Sequence, residues 1–184
     1  MSNSMQIRQS ALITAVLLLR AVPASPEPRL EPEPTGLVPK ATQQQQQRPC
    51  STPEHRQFDF WIGDWEVFNP QGQRVGSNRI DKVLGGCALH ESWRGSTGHR
   101  GSSYNFYDTT SGKWHQTWID VAGAPLYING GFAEGRMRMV DEAGTSRITW
   151  TPLESGHVRQ HWEQSADDGG TWTTVFDGEY RRVY

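Results

Sequence analysis

From residue 55 onward, apolar and polar positions alternate in short runs and never hold a helical period for long. Segments 65–68, 74–84, 87–93, 103–107, 113–121, 126–132, 136–140, 147–151, 158–163, 172–176 and 179–183 are of β type. Turn residues punctuate them at roughly ten-residue intervals, the spacing of a meandering antiparallel sheet. Asn69-Pro70-Gln71-Gly72 and Gly85-Gly86 are clear breaks, and 94–101, 108–112 and 122–125 are polar or glycine-containing loops. Side chains on a strand point to alternate faces. Trp114, Gln116 and Trp118 therefore share one face, opposite His115, Thr117 and Ile119. Ile148 and Trp150 likewise oppose Arg147, Thr149 and Thr151, and Val158, Gln160 and Trp162 oppose Arg159, His161 and Glu163. The only helix the pattern allows is a turn or two around 58–62.

Ten or eleven strands joined by few long loops predict an all-β fold. An open sheet would leave two exposed edges and closure removes both, so the expected architecture is a single antiparallel β-barrel of about ten strands. A β-sandwich is the alternative. A barrel this wide tends to keep an interior cavity. Gly130-Gly131, inside an otherwise apolar strand, predicts a point of wall curvature.

Composition separates the barrel from what precedes it. Eight of the 11 prolines lie between Pro23 and Pro53, whereas all eight tryptophans and all six histidines lie from His55 onward. A domain of this size can bury a core of its own, and the aromatics place that core in 55–184. The start reads as a signal peptide over 1–24. Arg8 supplies the positive charge, 11–19 is apolar, and Val22-Pro23-Ala24 offers a cleavage site. Arg20 ends the run far short of the roughly 20 residues that span a bilayer, so no stable membrane anchor is expected after cleavage. An uncleaved anchor is the alternative. Residues 25–54, rich in Pro, Glu and Gln with the run Gln43 to Gln47, read as a solvated linker. Export predicts a secreted or periplasmic protein in an oxidising compartment. There the two cysteines, Cys50 and Cys87, are expected to bridge, and two free thiols are the alternative.

Residues 55–184 carry 13 Lys or Arg against 16 Asp or Glu, with no run of either sign. Nucleic-acid binding needs a basic stripe, and the sequence has none.

The opening Phe58-Asp59-Phe60-Trp61-Ile62-Gly63-Asp64-Trp65-Glu66-Val67 resembles a large family of exported, mostly bacterial proteins of unknown function. Gly86-Cys87-Ala88-Leu89-His90-Glu91-Ser92-Trp93, Asn105-Phe106-Tyr107-Asp108, Trp114-His115-Gln116-Thr117-Trp118 and Ile148-Thr149-Trp150 look like the same family. The resemblance implies a lipocalin-like barrel and no agreed activity. An aromatic-x-Gly-x-Trp opening is also similar to lipocalins and haem-binding nitrobindin barrels. That similarity implies that Trp65 plugs the closed end and Gly63 turns the chain beneath it.

Several motifs bear on chemistry. Ser165-x-Asp167-x-Gly169-x-Thr171-Trp172 fits the Asp-box pattern, which occurs once and reads as a hairpin-stabilising turn. No zinc spacing of the H-x-H or H-E-x-x-H kind is present, although His157 and His161 lie four apart on one strand face. Haem held by one axial histidine needs no local motif, and His161 beside Trp162 is the candidate for it. No G-x-S-x-G elbow, glycine-rich phosphate loop or reactive-cysteine context is present. A cavity enzyme could still draw on Glu66, Glu91, Asp120 and Glu163 as acids and His90, His115 and His161 as bases.

Eight tryptophans are more than a core of this size needs. Trp61, Trp65 and Trp172 are expected to fill it. Polar residues interleave with the others, and a mostly aromatic cavity carrying a few polar groups is what a small-molecule site looks like. The expectation is a non-enzymatic binder of a small, partly hydrophobic ligand. Trp93, Trp118, Trp150 and Trp162 would line its cavity, and His90, Asn105, Arg159 and His161 would orient the ligand. The alternatives are a cavity enzyme, a haem barrel and an extracytoplasmic interaction module with exposed tryptophans.

Overall fold

The computed structural model describes residues 48–184; the signal-peptide reading and the linker up to residue 47 lie outside the described residues. Ten strands follow one another: β1 Gly63–Phe68, β2 Arg74–Val83, β3 Ala88–Gly95, β4 Arg100–Asp108, β5 Lys113–Asp120, β6 Pro125–Ala133, β7 Arg136–Asp141, β8 Ser146–Pro152, β9 Val158–Gln164 and β10 Thr173–Arg182. Each pairs antiparallel with its chain neighbours, and β10 pairs with β1, so the sheet is a closed barrel. Closure leaves no unpaired edge for another chain to extend.

The stretches 172–176 and 179–183, read from sequence as two strands, form the single strand β10. Asp177-Gly178 looks like a turn signal, yet Gly178 pairs with Gln160 within the ladder. Its lack of a side chain has a steric reason: a Cβ there would lie 2.6 Å from the Phe176 ring and 2.9 Å from Val67. Gly130 is likewise a close approach, since a Cβ would run into the Arg138 carbonyl of β7. The pairing with β7 runs through Gly130 and Gly131 without a register shift, so the structure explains Gly130 by that contact and shows no bulge at the pair.

One end of the barrel is plugged. Short 3-10 turns at Glu54–Arg56 and Asp59–Trp61 lie across it. Phe58 stacks on Trp61 at 4.9 Å and meets the edges of Trp150 at 5.2 Å and Trp114 at 5.6 Å. Two tryptophan N–H groups fix the plug: Trp65 donates to the Trp61 carbonyl at 2.9 Å, and Trp114 to the Glu54 carbonyl at 3.2 Å. Each such bond contributes about 1 kcal/mol net, whereas burying one large apolar side chain contributes about 1.5–3 kcal/mol. Packing therefore holds the plug and the hydrogen bonds set its orientation. Gly63, at φ 143°, turns the chain into β1, and the Arg182 guanidinium lies 4.2 Å over the Trp65 ring.

Cys50 and Cys87 form a disulfide that ties residues 48–54 to the start of β3. Arg56 donates to the carbonyls of both Cys50 and Gly86 beside it. Trp172, expected in the core, is half-buried under the 165–172 turn instead. There it donates to the Gly169 carbonyl at 3.1 Å and carries the Arg147 guanidinium 3.8 Å over its ring. Asp167 accepts from the Thr171 backbone and hydroxyl at 2.7 and 2.8 Å, the structural role read from the Asp-box pattern. The core aromatics are Phe58, Trp61, Trp65, Trp114, Trp150 and Tyr180.

Candidate functional site

The opposite end of the barrel is open. The β1–β2, β3–β4, β5–β6, β7–β8 and β9–β10 turns surround it, and a cavity of about 660 Å³ descends between the strands. Small-molecule sites span roughly 300–1,000 Å³, so the space suits a compact ligand.

Strand direction sorts the lining into two tiers. Glu91 precedes Trp93 on β3, Gln116 precedes Trp118 on β5, and Gln160 precedes Trp162 on β9, each pair two residues apart on one face. All three strands run toward the mouth, so the polar member lies deeper and the tryptophan nearer the opening. On β10, which runs the other way, Phe176 is the outer residue and Tyr180 the inner one. The result is an aromatic collar above a polar floor. Trp93 meets the edge of Phe176 at 6.0 Å, Trp162 donates to the Ser146 hydroxyl at 2.8 Å, and His99 stacks on Trp118 at 6.5 Å.

The floor is a connected network. Glu91 accepts from the Asn78 amide at 2.7 Å through one carboxyl oxygen and from the Ser103 hydroxyl at 2.6 Å through the other. Asn105 donates to Ser103 at 2.9 Å, and Gln116 donates to the Asn105 carbonyl at 2.8 Å. The Tyr180 hydroxyl donates to Gln160 and accepts from Asn78 at 3.3 Å. Among the described residues no cation pairs with Glu91. Burial pushes its carboxyl up to about 7 against the pull of the Ser103 and Asn78 hydrogen bonds. Burial, with Glu91 adding to it, holds the Tyr180 phenol well above its usual range. The Asn78 carbonyl oxygen is buried and accepts no hydrogen bond.

The expected site residues divide by strand face. Trp93, Trp118 and Trp162 line the cavity. Trp150 does not: β8 runs away from the mouth, and its ring packs in the plug, 5.4 Å from Trp61. Asn105 faces inward but lies behind Gln116 and Ser103, supporting the floor. His90, Arg159 and His161 point out of the barrel, being one residue out of phase with Glu91, Gln160 and Trp162. His90 pairs with the Ser102 hydroxyl at 2.8 Å, Arg159 with Asp177 at 2.7 Å, and His161 with the Thr174 hydroxyl at 2.9 Å. An axial role for His161 toward a haem in the cavity is ruled out by that orientation. Of the other candidate acids, Glu66 pairs with Arg74, Asp120 with His99 and Glu163 with Arg147, so only Glu91 serves the cavity.

Gln116, read from sequence only as one of the polar residues interleaved with the tryptophans, and Gln160 and Tyr180 were not among the expected site residues. The signal for the first two was the thrice-repeated Glu/Gln-x-Trp spacing in HESW, HQTW and RQHW. Among the described residues no group of three or more His, Cys, Asp or Glu is arranged to hold a metal ion, and no helix is long and apolar enough to cross a membrane. Comparison of the chain with protein-family models finds no match, and comparison with curated proteins finds none either.

Proposed function

We propose that this protein binds a small, partly hydrophobic molecule in its barrel cavity, as an exported carrier or sensor rather than an enzyme. The observation that carries the reading is the two-tier lining: an apolar collar to desolvate a ligand body and a polar floor to orient its head. None of the eight tryptophans is exposed, which is the opposite of what a tryptophan-based docking module needs. The Cys50–Cys87 bridge supports export, since such bonds persist in oxidising compartments. The plug built from Phe58, Trp61, Gly63 and Trp65 supports membership of the exported lipocalin-like family that this opening resembles.

Leu126→Trp tests the cavity. Leu126 lies on the lining near the mouth, and an indole there would occupy the space between the collar rings. The wild-type chain is expected to enhance the fluorescence of N-phenyl-1-naphthylamine and the variant to lose that enhancement at unchanged melting temperature. Equal enhancement in both proteins would place the probe elsewhere and sink the reading.

Glu91 favours a second reading, because an acid held near 7 in an enclosed site can move a proton at neutral pH. On that reading Glu91→Gln abolishes turnover of a bound substrate while its affinity persists.

A further inference from the structure

We propose that the cavity's ligand is a small protonated amine on an aromatic or aliphatic body, its ammonium against the Glu91 carboxylate and its body within the collar of Trp93, Trp118, Trp162 and Phe176. The inference rests on the cavity being a ligand site and names the class of molecule it takes.

The charge inventory carries it. Among the described residues the lining has no Lys or Arg, and its inward-facing carboxylate is Glu91, because Asp177 shares the outer face of the wall with Arg159 and His161. Arg159 holds Asp177 through both guanidinium arms at 2.8 and 2.7 Å, so its charge is spent. Glu91 has no such partner. Asn78 faces it from β2, Ser103 from β4 and Tyr180 from β10, and the remaining polar groups of the floor are Gln116 and Gln160. None carries a charge, Tyr180 being kept neutral by its burial. His99, stacked on Trp118 at the mouth and 3.1 Å from Asp120, is the remaining titratable group of the lining.

Hydrogen bonding points the same way. Most donors of the floor are engaged: the Asn78 amide on Glu91, the Ser103 hydroxyl on Glu91, the Gln116 amide on Asn105 and the Tyr180 hydroxyl on Gln160, which leaves the Gln160 amide nitrogen as the donor that faces the cavity. Both Gln116 bonds use its nitrogen, which leaves its carbonyl oxygen as an acceptor, and the buried Asn78 oxygen has no donor at all. The Glu91 carboxyl and the Gln116 oxygen thus face the cavity as acceptors against the Gln160 amide as donor, a balance that favours a ligand head rich in donors. A carboxylate ligand would set a second negative charge beside Glu91 with no base to receive it.

The collar suits a cation as well. Tryptophan faces attract ammonium groups by about 0.5–2 kcal/mol each when desolvated, and three of them guard the way in. Floor and collar are separated by two strand residues, about 7 Å. That distance fits an amine joined to a ring by a short alkyl spacer.

Isothermal titration of the full chain with 2-phenylethylammonium, 2-phenylethanol and 3-phenylpropanoate tests the class. At pH 8 the amine is expected to bind at least tenfold tighter than the alcohol, with the propanoate weakest. The amine stays protonated from pH 5.5 to 8, so its affinity should rise over that range as Glu91 gives up its proton. Titration at pH 6.5 in buffers of different ionisation enthalpy should register the proton released. Glu91→Gln should remove the amine's advantage and its pH dependence while alcohol binding persists. His99→Gln should keep the pH dependence, which places it at the floor and not the mouth. Should Glu91→Gln not fold, the wild-type pH and buffer dependence decide alone. An alcohol or propanoate that binds as tightly as the amine at pH 8 overturns the amine assignment and leaves the cavity reading standing. Binding of none of the three, with Leu126→Trp indistinguishable from wild type toward N-phenyl-1-naphthylamine, overturns both.

Discussion

Glu91 brings a carboxyl into the barrel interior, where each oxygen has a hydrogen-bond donor and neither has a positive charge. The cost of that placement depends on pH with a definite sign. Burial raises the group from 4.5 to about 7, so across that window the native state keeps a proton that the unfolded chain has released. Stability is full below the lower value and is lost as pH rises through the upper one. At about 1.4 kcal/mol per pH unit the loss is about 3 kcal/mol. The exposed or half-exposed carboxylates that are held low, Glu163 by Arg147 and Asp177 by Arg159, act only under more acidic conditions and do not blur this window. The melting temperature of the wild-type chain should therefore fall between pH 5 and pH 8, and that of Glu91→Gln should stay nearly level. Thermal denaturation followed by circular dichroism reads both, and parallel profiles would mean that Glu91 ionises freely in the native protein. A stability cost carried by one buried acid at the floor of a cavity is what a functional position looks like.

The collar exists because of what the strands beneath it lack. A Cβ at Gly101 of β4 would run into the Trp118 ring, and one at Gly76 of β2 would lie 2.5 Å from the Trp93 ring. On β10 the Phe176 ring folds over Gly178. Three of the four collar rings thus lie over a glycine, while Trp162 is held by its bond to the Ser146 hydroxyl, and the cavity stays open between them. Gly101→Ala should tip the Trp118 indole inward, cost about 1–3 kcal/mol from overpacking and weaken N-phenyl-1-naphthylamine binding. Denaturant titration and probe titration of the same variant check the two effects, and wild-type affinity in the variant would show that the ring can shift without narrowing the cavity. These elements also show what a single sequence can reveal. The strands were legible because a two-residue alternation bounded by Gly, Asn, Asp and Pro leaves little else for the chain to form. Parity within β9 already put Gln160 and Trp162 on one face and Arg159 and His161 on the other, so once Trp162 is assigned to the cavity the other two are excluded. Trp150 could not be assigned that way: its parity is correct for the interior, but whether it lies in collar or plug depends on strand direction relative to the closed end. The pairing of glycines with rings likewise depends on register between strands, which no single segment contains.

At the scale of the whole molecule the two ends of the barrel do different work, and the disulfide belongs to the closed one. Cys50 and Cys87 are 37 residues apart, and the loop they close contains the plug, β1 and β2. Cross-linking a loop of that length removes denatured-chain entropy worth about 4 kcal/mol at room temperature. Nothing on the cavity lining belongs to the bridge or to the 3-10 turns beside it. Stability and binding should therefore separate. The double variant Cys50→Ser, Cys87→Ser should unfold at a markedly lower denaturant concentration, with hydrogen exchange accelerated first in residues 50–62. Its affinity for N-phenyl-1-naphthylamine, measured well below the unfolding transition, should match that of the oxidised wild type. The reduced wild type should behave as the double variant does, because the lost constraint is the same. A variant that kept its stability would mean that the Phe58, Trp61 and Trp150 stack holds the plug without covalent help. A loss of probe binding in step with the loss of the bridge would mean that the plug transmits its order through Tyr180, which packs 6.2 Å from Trp61 and reaches the cavity floor through Gln160. The two outcomes locate the coupling between the ends of the barrel, or its absence, in one named side chain.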